Sequence, residues 1–198
     1  MTTSVCEMRE TKETRVKVVI DPGAVPSDDC RTGLPFFDHM LSSLAFHGGF
    51  ALQVRAEGDV AVDPHHLVED VGITLGRVVR RIWRESENFA RFGSAFVPMD
   101  EALVAAHLDL SGRPFLAFDL EMSPRTLGDF HSDLVLEFFR ALVNNADVTL
   151  HLKTETTGNT HHVVEAAYKA VGRALAEALQ QPSRPNKVPS TKGRLGEE

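Results

Sequence analysis

Nine histidines stand against one tryptophan and one tyrosine in this chain of 198 residues. Four of the nine form two doublets, His65-His66 and His161-His162. Each doublet is followed by a glutamate at the same place: HHLVED supplies Glu69 and HHVVEA supplies Glu165. Imidazole and carboxylate are common ligands of divalent transition metals. At a helix start, His65 and Glu69 lie four apart and share a face, as do His161 and Glu165. Adjacent histidines diverge by ~100° around a helix of about 3.6 residues per turn, so the members of a doublet face different ions rather than chelating one. A nitrogen-rich set with carboxylate and no thiolate suits Mn, Fe or Zn.

The doublets belong to a longer self-similarity. They recur 96 residues apart, from His65 to His161. FFDHMLSSLAFHG and FALQVRAEGDV precede the first, and LVLEFFRALVNNA and VTLHLKTETTG precede the second. Each half reads as apolar helix, strand, turn, then HHxxE opening another helix. Aligning the upstream helices sets His39 opposite Glu137. The repeat then sorts the donors into two sets. One is His65, Glu69 and His162 with Glu137; the other is His161, Glu165 and His66 with His39. Exchanging the halves maps one set onto the other. His151, in a predicted strand, is a runner-up ligand, and His47, His107 and His131 have no comparable partners.

The elements that must position these donors follow from periodicity. Residues 65–85 place Val68, Val71, Leu75, Val78, Val79 and Ile82 on one stripe, and residues 161–180 do the same with Val164, Ala167, Val171, Ala174, Leu175 and Ala178. Pro64 and Thr160 mark the helix entries, and Pro182 stops the last helix. TRVKVVI, ALVAAHLDL and GRPFLAFDL read as strands. The expected fold is α+β and internally duplicated, with repeats near 1–90 and 91–182 and a Pro-, Ser- and Lys-rich tail over 183–198.

Composition sets outer bounds. A chain 42% hydrophobic and 25% charged is neither disordered nor collagen-like. A net charge of −7 argues against sequence-independent nucleic-acid binding. No apolar run approaches the ~18 residues of a membrane helix. The first residues carry acids and no apolar stretch, unlike a secretory signal. Cys6 and Cys30 lack metal-like spacing, and a reduced, cytoplasmic setting is expected.

Lys169 lies four after Glu165, and a cation beside a metal ligand calls for an anion. Arg91 in ARFG and Arg113 in SGRP sit in glycine-containing turns where a guanidinium can approach a phosphate. Ser190, Thr191 and Lys192 in PSTKG offer hydroxyls and an ammonium. Asp100-Glu101 in PMDEA reads either as a solvated turn or as an acid/base group, and Glu13 in TKET is equally open.

FFDHML, HGGF, DPHHLVEDVGITLG, PMDEAL, DLSGRP, TLH, HHVVEAAYKA and PSTKG, in this order, resemble imidazoleglycerol-phosphate dehydratase of histidine biosynthesis over nearly the whole chain. The resemblance implies helices packed between β-sheets, two Mn(2+) ions per active site, and a homo-oligomer of 24 subunits with sites between subunits. It carries metal ligation onto His39, His65, His66, Glu69, His161, His162 and Glu165. Several members carry His where Glu137 stands, and a carboxylate can fill the same role. Phosphate contacts carry onto Arg91, Arg113, Lys169, Ser190 and Lys192, and the substrate-contacting acid onto Glu13. Phe92 replaces the usual Tyr and Leu67 the usual Thr. The added phosphatase domain of bifunctional relatives is not expected. The implied reaction is a hydro-lyase step, D-erythro-imidazoleglycerol phosphate to imidazole acetol phosphate and water, through a metal-bound imidazolate and a diazafulvene-like species. Glu13 is the first candidate for proton transfer, followed by Glu69 or Glu165, then Asp100. A di-metal phosphate-ester hydrolase and a non-catalytic metal-binding shell remain the alternatives.

Overall fold

Strand alternation and helical stripes build the same unit twice. The computed structural model describes residues 4–86 and 88–181. The first unit runs β1 (Val5–Glu10), β2 (Thr14–Asp21), β3 (Ser27–Arg31), α1 (Pro35–Gly48), β4 (Ala51–Gly58) and α2 (His65–Glu85). The second runs β5 (Phe92–Met99), β6 (Ala102–Asp109), β7 (Phe115–Asp119), the short pair β8 (Thr126–Leu127) and β9 (Phe130–His131), α3 (Leu134–Ala146), β10 (Thr149–Thr156) and α4 (Thr160–Leu179). The two main sheets have orders β1-β2-β4-β3 and β5-β6-β10-β7. In each, the third strand in space is antiparallel to the hairpin strand and parallel to the edge strand. This is the expected duplicated α+β fold.

Each sheet buries one face. In β2, Val16, Val18 and Ile20 point inward, and in β10 Leu150 and Leu152 do so. The helices fill the space between the sheets. α2 lies on β1 and β2, and α4 lies on β5 and β6. The helices also pair across the halves, α2 with α3 and α1 with α4. The predicted stripes of α2 and α4 are all buried.

Glycines permit the cross-pairing. A Cβ at Gly76 in α2 would run into the Leu142 carbonyl of α3, and one at Gly172 in α4 into the Leu44 carbonyl of α1. Gly76 and Gly172 match in the repeat that aligns the doublets. Leu44 and Leu142 match in the one that aligns His39 with Glu137. The two crossings are therefore one packing used twice. Between them lies an aromatic cluster: Phe37 of α1 meets Phe138 of α3 edge-on at 5.4 Å, and Phe138 stacks on the fully buried Tyr168 of α4 at 5.1 Å.

In both doublets the first histidine's N–H is held by the side chain two residues before it. Asp63 Oδ1 accepts the His65 N–H at 2.9 Å, and Asn159 Oδ1 accepts the His161 N–H at 3.0 Å. Each acceptor supplies a partner for a donor that the helix leaves orphaned. The capping side chains thus lie one residue before Pro64 and Thr160.

Candidate metal and active site

Three predicted donors meet where α1 and α4 cross. Glu165 Oε2 lies 3.1 Å from His161 Nε2 and 3.4 Å from His39 Nε2. One ligand atom from each of the three falls within 4.8 Å of the others. Helical spacing stacks His161 over Glu165, and the α1–α4 crossing delivers His39 from the other half. Phe36 stands edge-on to the His161 ring at 5.3 Å and limits its swing. The second Glu165 oxygen takes Lys169 Nζ at 2.8 Å. The Glu165 side chain is only 9% exposed. Burial pushes its carboxyl up, but the Lys169 hydrogen bond and charge, with His39, outweigh burial and hold it below the ordinary value. The cluster therefore presents an ionised carboxylate and two imidazoles toward the surface.

The two rings of each doublet lie nearly at right angles. The His65 and His66 rings are inclined at 87°, and those of His161 and His162 at 85°. His162 turns to the β5–β6 turn, where Asp100 adopts a left-handed φ of 47°. Its Nδ1 lies 3.0 Å from Glu101 Oε2, and its Nε2 lies 3.9 Å from Asp100. Glu101 Oε1 also accepts the Asn159 N–H at 2.6 Å. That N–H first, then the Glu101 backbone N–H and the His162 bond, hold the Glu101 carboxyl at about 2. His66 turns to the β1–β2 turn, with Nδ1 3.7 Å from Glu13 and 3.6 Å from Asp59. His66 Nδ1 and Asp59 Oδ1 are buried atoms without a hydrogen-bond partner.

The second predicted set is more dispersed within one chain. Glu137 accepts Arg140 Nη1 with both oxygens, at 2.8 and 2.9 Å. Glu69 and His65 are half-buried on the first turns of α2. Its neighbour Asp70 is buried and holds Arg9 of β1 at 2.6 Å and the Thr14 hydroxyl, fixing α2 against the hairpin that carries Glu13. Among the described residues, the convergent groups of three or more donors are His39, His161, Glu165 and Asp100, Glu101, His162. His66 does not join the first group, nor does Glu137 join His162, within one chain.

The basic residues divide in two. Lys169 belongs to the cluster. Arg91 lies at the far end of α4: its N–H donates to Ala178 O, while its guanidinium takes Asp109 at 2.7 and 3.2 Å and rides over Phe92 at 4.7 Å. From His161 to Ala178 the helix rises roughly 25 Å at ~1.5 Å per residue. Arg113 is exposed just beyond the end of β6, its Nη1 donating to Ser111 O at 3.2 Å. Within one chain, then, Arg91 stands well away from the histidine cluster. Ser190 and Lys192 lie outside the described residues.

Sequence reasoning missed Asp59 and the caps. Asp63 and Asn159 sit two before each doublet, at the same repeat offset, so the repeat carried their signal. Asp59 has no counterpart acid, since Thr157 holds the matching place after β10.

A family model described as imidazoleglycerol-phosphate dehydratase matches residues 32–175. The chain belongs to that family. A relative so named from Acetivibrio thermocellus is 49% identical over 187 residues, 94% of this chain and 96% of its own length. One from Bacillus cereus strain B4264 is 48% identical over 189 residues, covering 96% and 97%. The crystal structure of imidazoleglycerol-phosphate dehydratase from Staphylococcus aureus subsp. aureus N315 matches with a TM-score of 0.83 at 37% identity, over 91% of this chain and 100% of that one. The Pyrococcus furiosus IGPD structure in complex with (S)-C348 matches with a TM-score of 0.82 at 39% identity, over 96% and 100%. Imidazoleglycerol-phosphate dehydratases are hydro-lyases, so the chain is an enzyme of the carbon–oxygen lyase class. The duplicated sheets and crossed helices described above are the architecture of the family. Among the described residues no helix is long and apolar enough to cross a membrane.

Proposed function

We propose that the chain dehydrates D-erythro-imidazoleglycerol phosphate to imidazole acetol phosphate in L-histidine biosynthesis. The observation that carries this reading is the convergence of His39, His161 and an ionised Glu165 at the α1–α4 crossing, in a chain of this family.

The donor set fits a transition metal. Two imidazoles and a carboxylate meet at ligand spacing, and in the other doublet His66 Nδ1 is a buried atom without a hydrogen-bond partner. His39, His66, His161 and Glu165 would hold one ion, and His65, Glu69, Glu137 and His162 the other, giving two Mn(2+) per active site. When bound, the ions would supply Lewis acidity and a template for the substrate's imidazole ring.

The chain's own residues do the rest. Glu13 is 56% exposed at the tip of its hairpin, where its carboxylate can take the proton from the side-chain carbon next but one to the ring. Glu69 is the next carboxylate for proton transfer, and Glu165 is already committed to Lys169 and two imidazoles. Lys169, Arg91, Arg113, Ser190 and Lys192 hold the phosphate and so orient the reacting carbons. The distance between Arg91 and His161 along α4 favours a site completed by a second copy; the assembly we propose, by resemblance to the family, is a homo-oligomer of 24 subunits. The two repeats, 1–90 and 91–182, and the tail 183–198 would then act as one functional unit. The reading places the enzyme in the cytoplasm, with a small phosphorylated imidazole as its partner and neither nucleic acid nor membrane.

The test is direct. Metal-stripped and Mn(II)-loaded protein are supplied with imidazoleglycerol phosphate. Metal-dependent imidazole acetol phosphate supports the reading. Release of inorganic phosphate instead would make it a phosphate-ester hydrolase, and metal binding with no turnover would make it a storage shell.

A further inference from the structure

The duplication puts one acid in the same place twice. Glu13 immediately precedes β2 and Glu101 immediately precedes β6, each at the turn of its sheet's first hairpin. Each faces Nδ1 of the second histidine in its half's doublet: Glu13 faces His66, and Glu101 faces His162. The contacts differ. Glu101 is at 3.0 Å from His162 and is anchored through its other oxygen to the Asn159 N–H at 2.6 Å. The backbone closes down on it, because a Cβ at Gly158 would strike the Glu101 carboxylate. Glu13 stands 3.7 Å from His66, beyond hydrogen-bond distance, and shares that ring with Asp59.

An ionised carboxylate only accepts hydrogen bonds. Nδ1 of His162 must therefore be the donor in its bond to Glu101, and in the neutral ring the lone pair falls on Nε2. We propose that Glu101 is a positioning residue that fixes the Nδ1–H tautomer of His162 and so makes Nε2 its metal-donating atom, while the matching Glu13 is left unanchored to meet substrate. A carboxylate behind a ligating imidazole sets both ring orientation and basicity. The two halves thus put the same acid to different uses. This inference rests on the reading of His162 as a metal ligand.

The test is calorimetric titration of the metal-stripped full chain with Mn(II). Glu101→Gln keeps the size but offers one amide oxygen to two donors, so one of the two contacts is lost. Glu101→Gln and Glu101→Ala should each weaken binding by about 10-fold or more. Glu13→Gln should leave Mn(II) affinity within about 2-fold of wild type, an effect below that of a lost ligand-supporting group. If Glu101 acts through His162, the double variant E101Q/H162A binds no more weakly than H162A alone, since coupled residues are non-additive. Fully additive losses would assign Glu101 to the structure of the α4 start and overturn the inference. Wild-type affinity in E101Q beside a weakened H162A would also overturn it. Unchanged affinity in H162A would instead remove His162 from the ligand set, and with it the reading on which the inference stands. E101Q gives the result even if the alanine variant fails to fold.

Discussion

His39 Nε2 lies 3.4 Å from Glu165 Oε2, and the two residues come from opposite halves of the chain. Neither half contains this contact. It exists because α1 lies across α4, and α1 can lie there because Gly172 has no side chain to hold Leu44 away. Packing and site are thus one piece of geometry, and a change at the crossing reaches the donors.

Gly172→Ala should therefore disturb both. The new methyl overlaps the Leu44 carbonyl, so α1 must retreat and take His39 with it. Overpacking of this kind costs about 1–3 kcal/mol. Gly76→Ala at the α2–α3 crossing should cost a similar amount. Urea unfolding of metal-free protein measures both, and an unchanged midpoint in either would refute the close-approach argument.

Lys169→Met removes the cation that neutralises Glu165 and leaves a nearly buried carboxylate oxygen unpaired. The expected loss is about 1–3 kcal/mol in the metal-free protein, the usual cost of a stranded buried acceptor. KM for the phosphorylated substrate should also rise. Denaturation and steady-state kinetics check the two effects separately. Wild-type stability would mean that Glu165 finds another partner.

Subunit mixing tests the shared site. His161→Ala and Arg91→Ala should each be inactive or nearly so. When the two variants are unfolded together and reassembled, some sites would combine an intact cluster from one copy with an intact arginine from another. Turnover should then return to a fraction of the wild-type level. No recovery from verified mixed assemblies would confine the working site to one chain.

Chelation should abolish turnover, and added Mn(II) should restore it. Metal that binds only the native state also raises stability, by about 2.7 kcal/mol at a hundredfold excess over Kd. Thermal scans with and without Mn(II) should separate in the wild type and draw together in His161→Ala. Equal separation in the variant would exclude His161 as a ligand.

Much of this arrangement was legible in the sequence. The doublets, their glutamates and the upstream helices follow fixed periods, and periodicity survives folding: His161 and His162 meet different carboxylates, and both stripes are buried. The pairing of His39 with His161 and Glu165 was legible because the repeat constrained it. The partners of His66, His162 and Glu137 were not. His162 takes its carboxylate from a hairpin turn, and Glu137 takes Arg140 from its own helix. Those contacts depend on loop placement and side-chain rotation, which leave no period in the chain. Asp59 was invisible for the same reason.

The exchanged helix pairs have the geometry of an isologous dimer whose protomers have been joined end to end. In a dimer of identical chains a two-fold axis forces every substitution to appear twice. Once the protomers are fused, that constraint is lifted and each copy can drift alone. His39 and Glu137 are such a pair, an imidazole in one half and a carboxylate at the matching place in the other, and Glu13 and Glu101 are another, alike in residue type but different in what they hold. The fused axis still dictates how the helices pack, while it no longer dictates which chemistry each side carries.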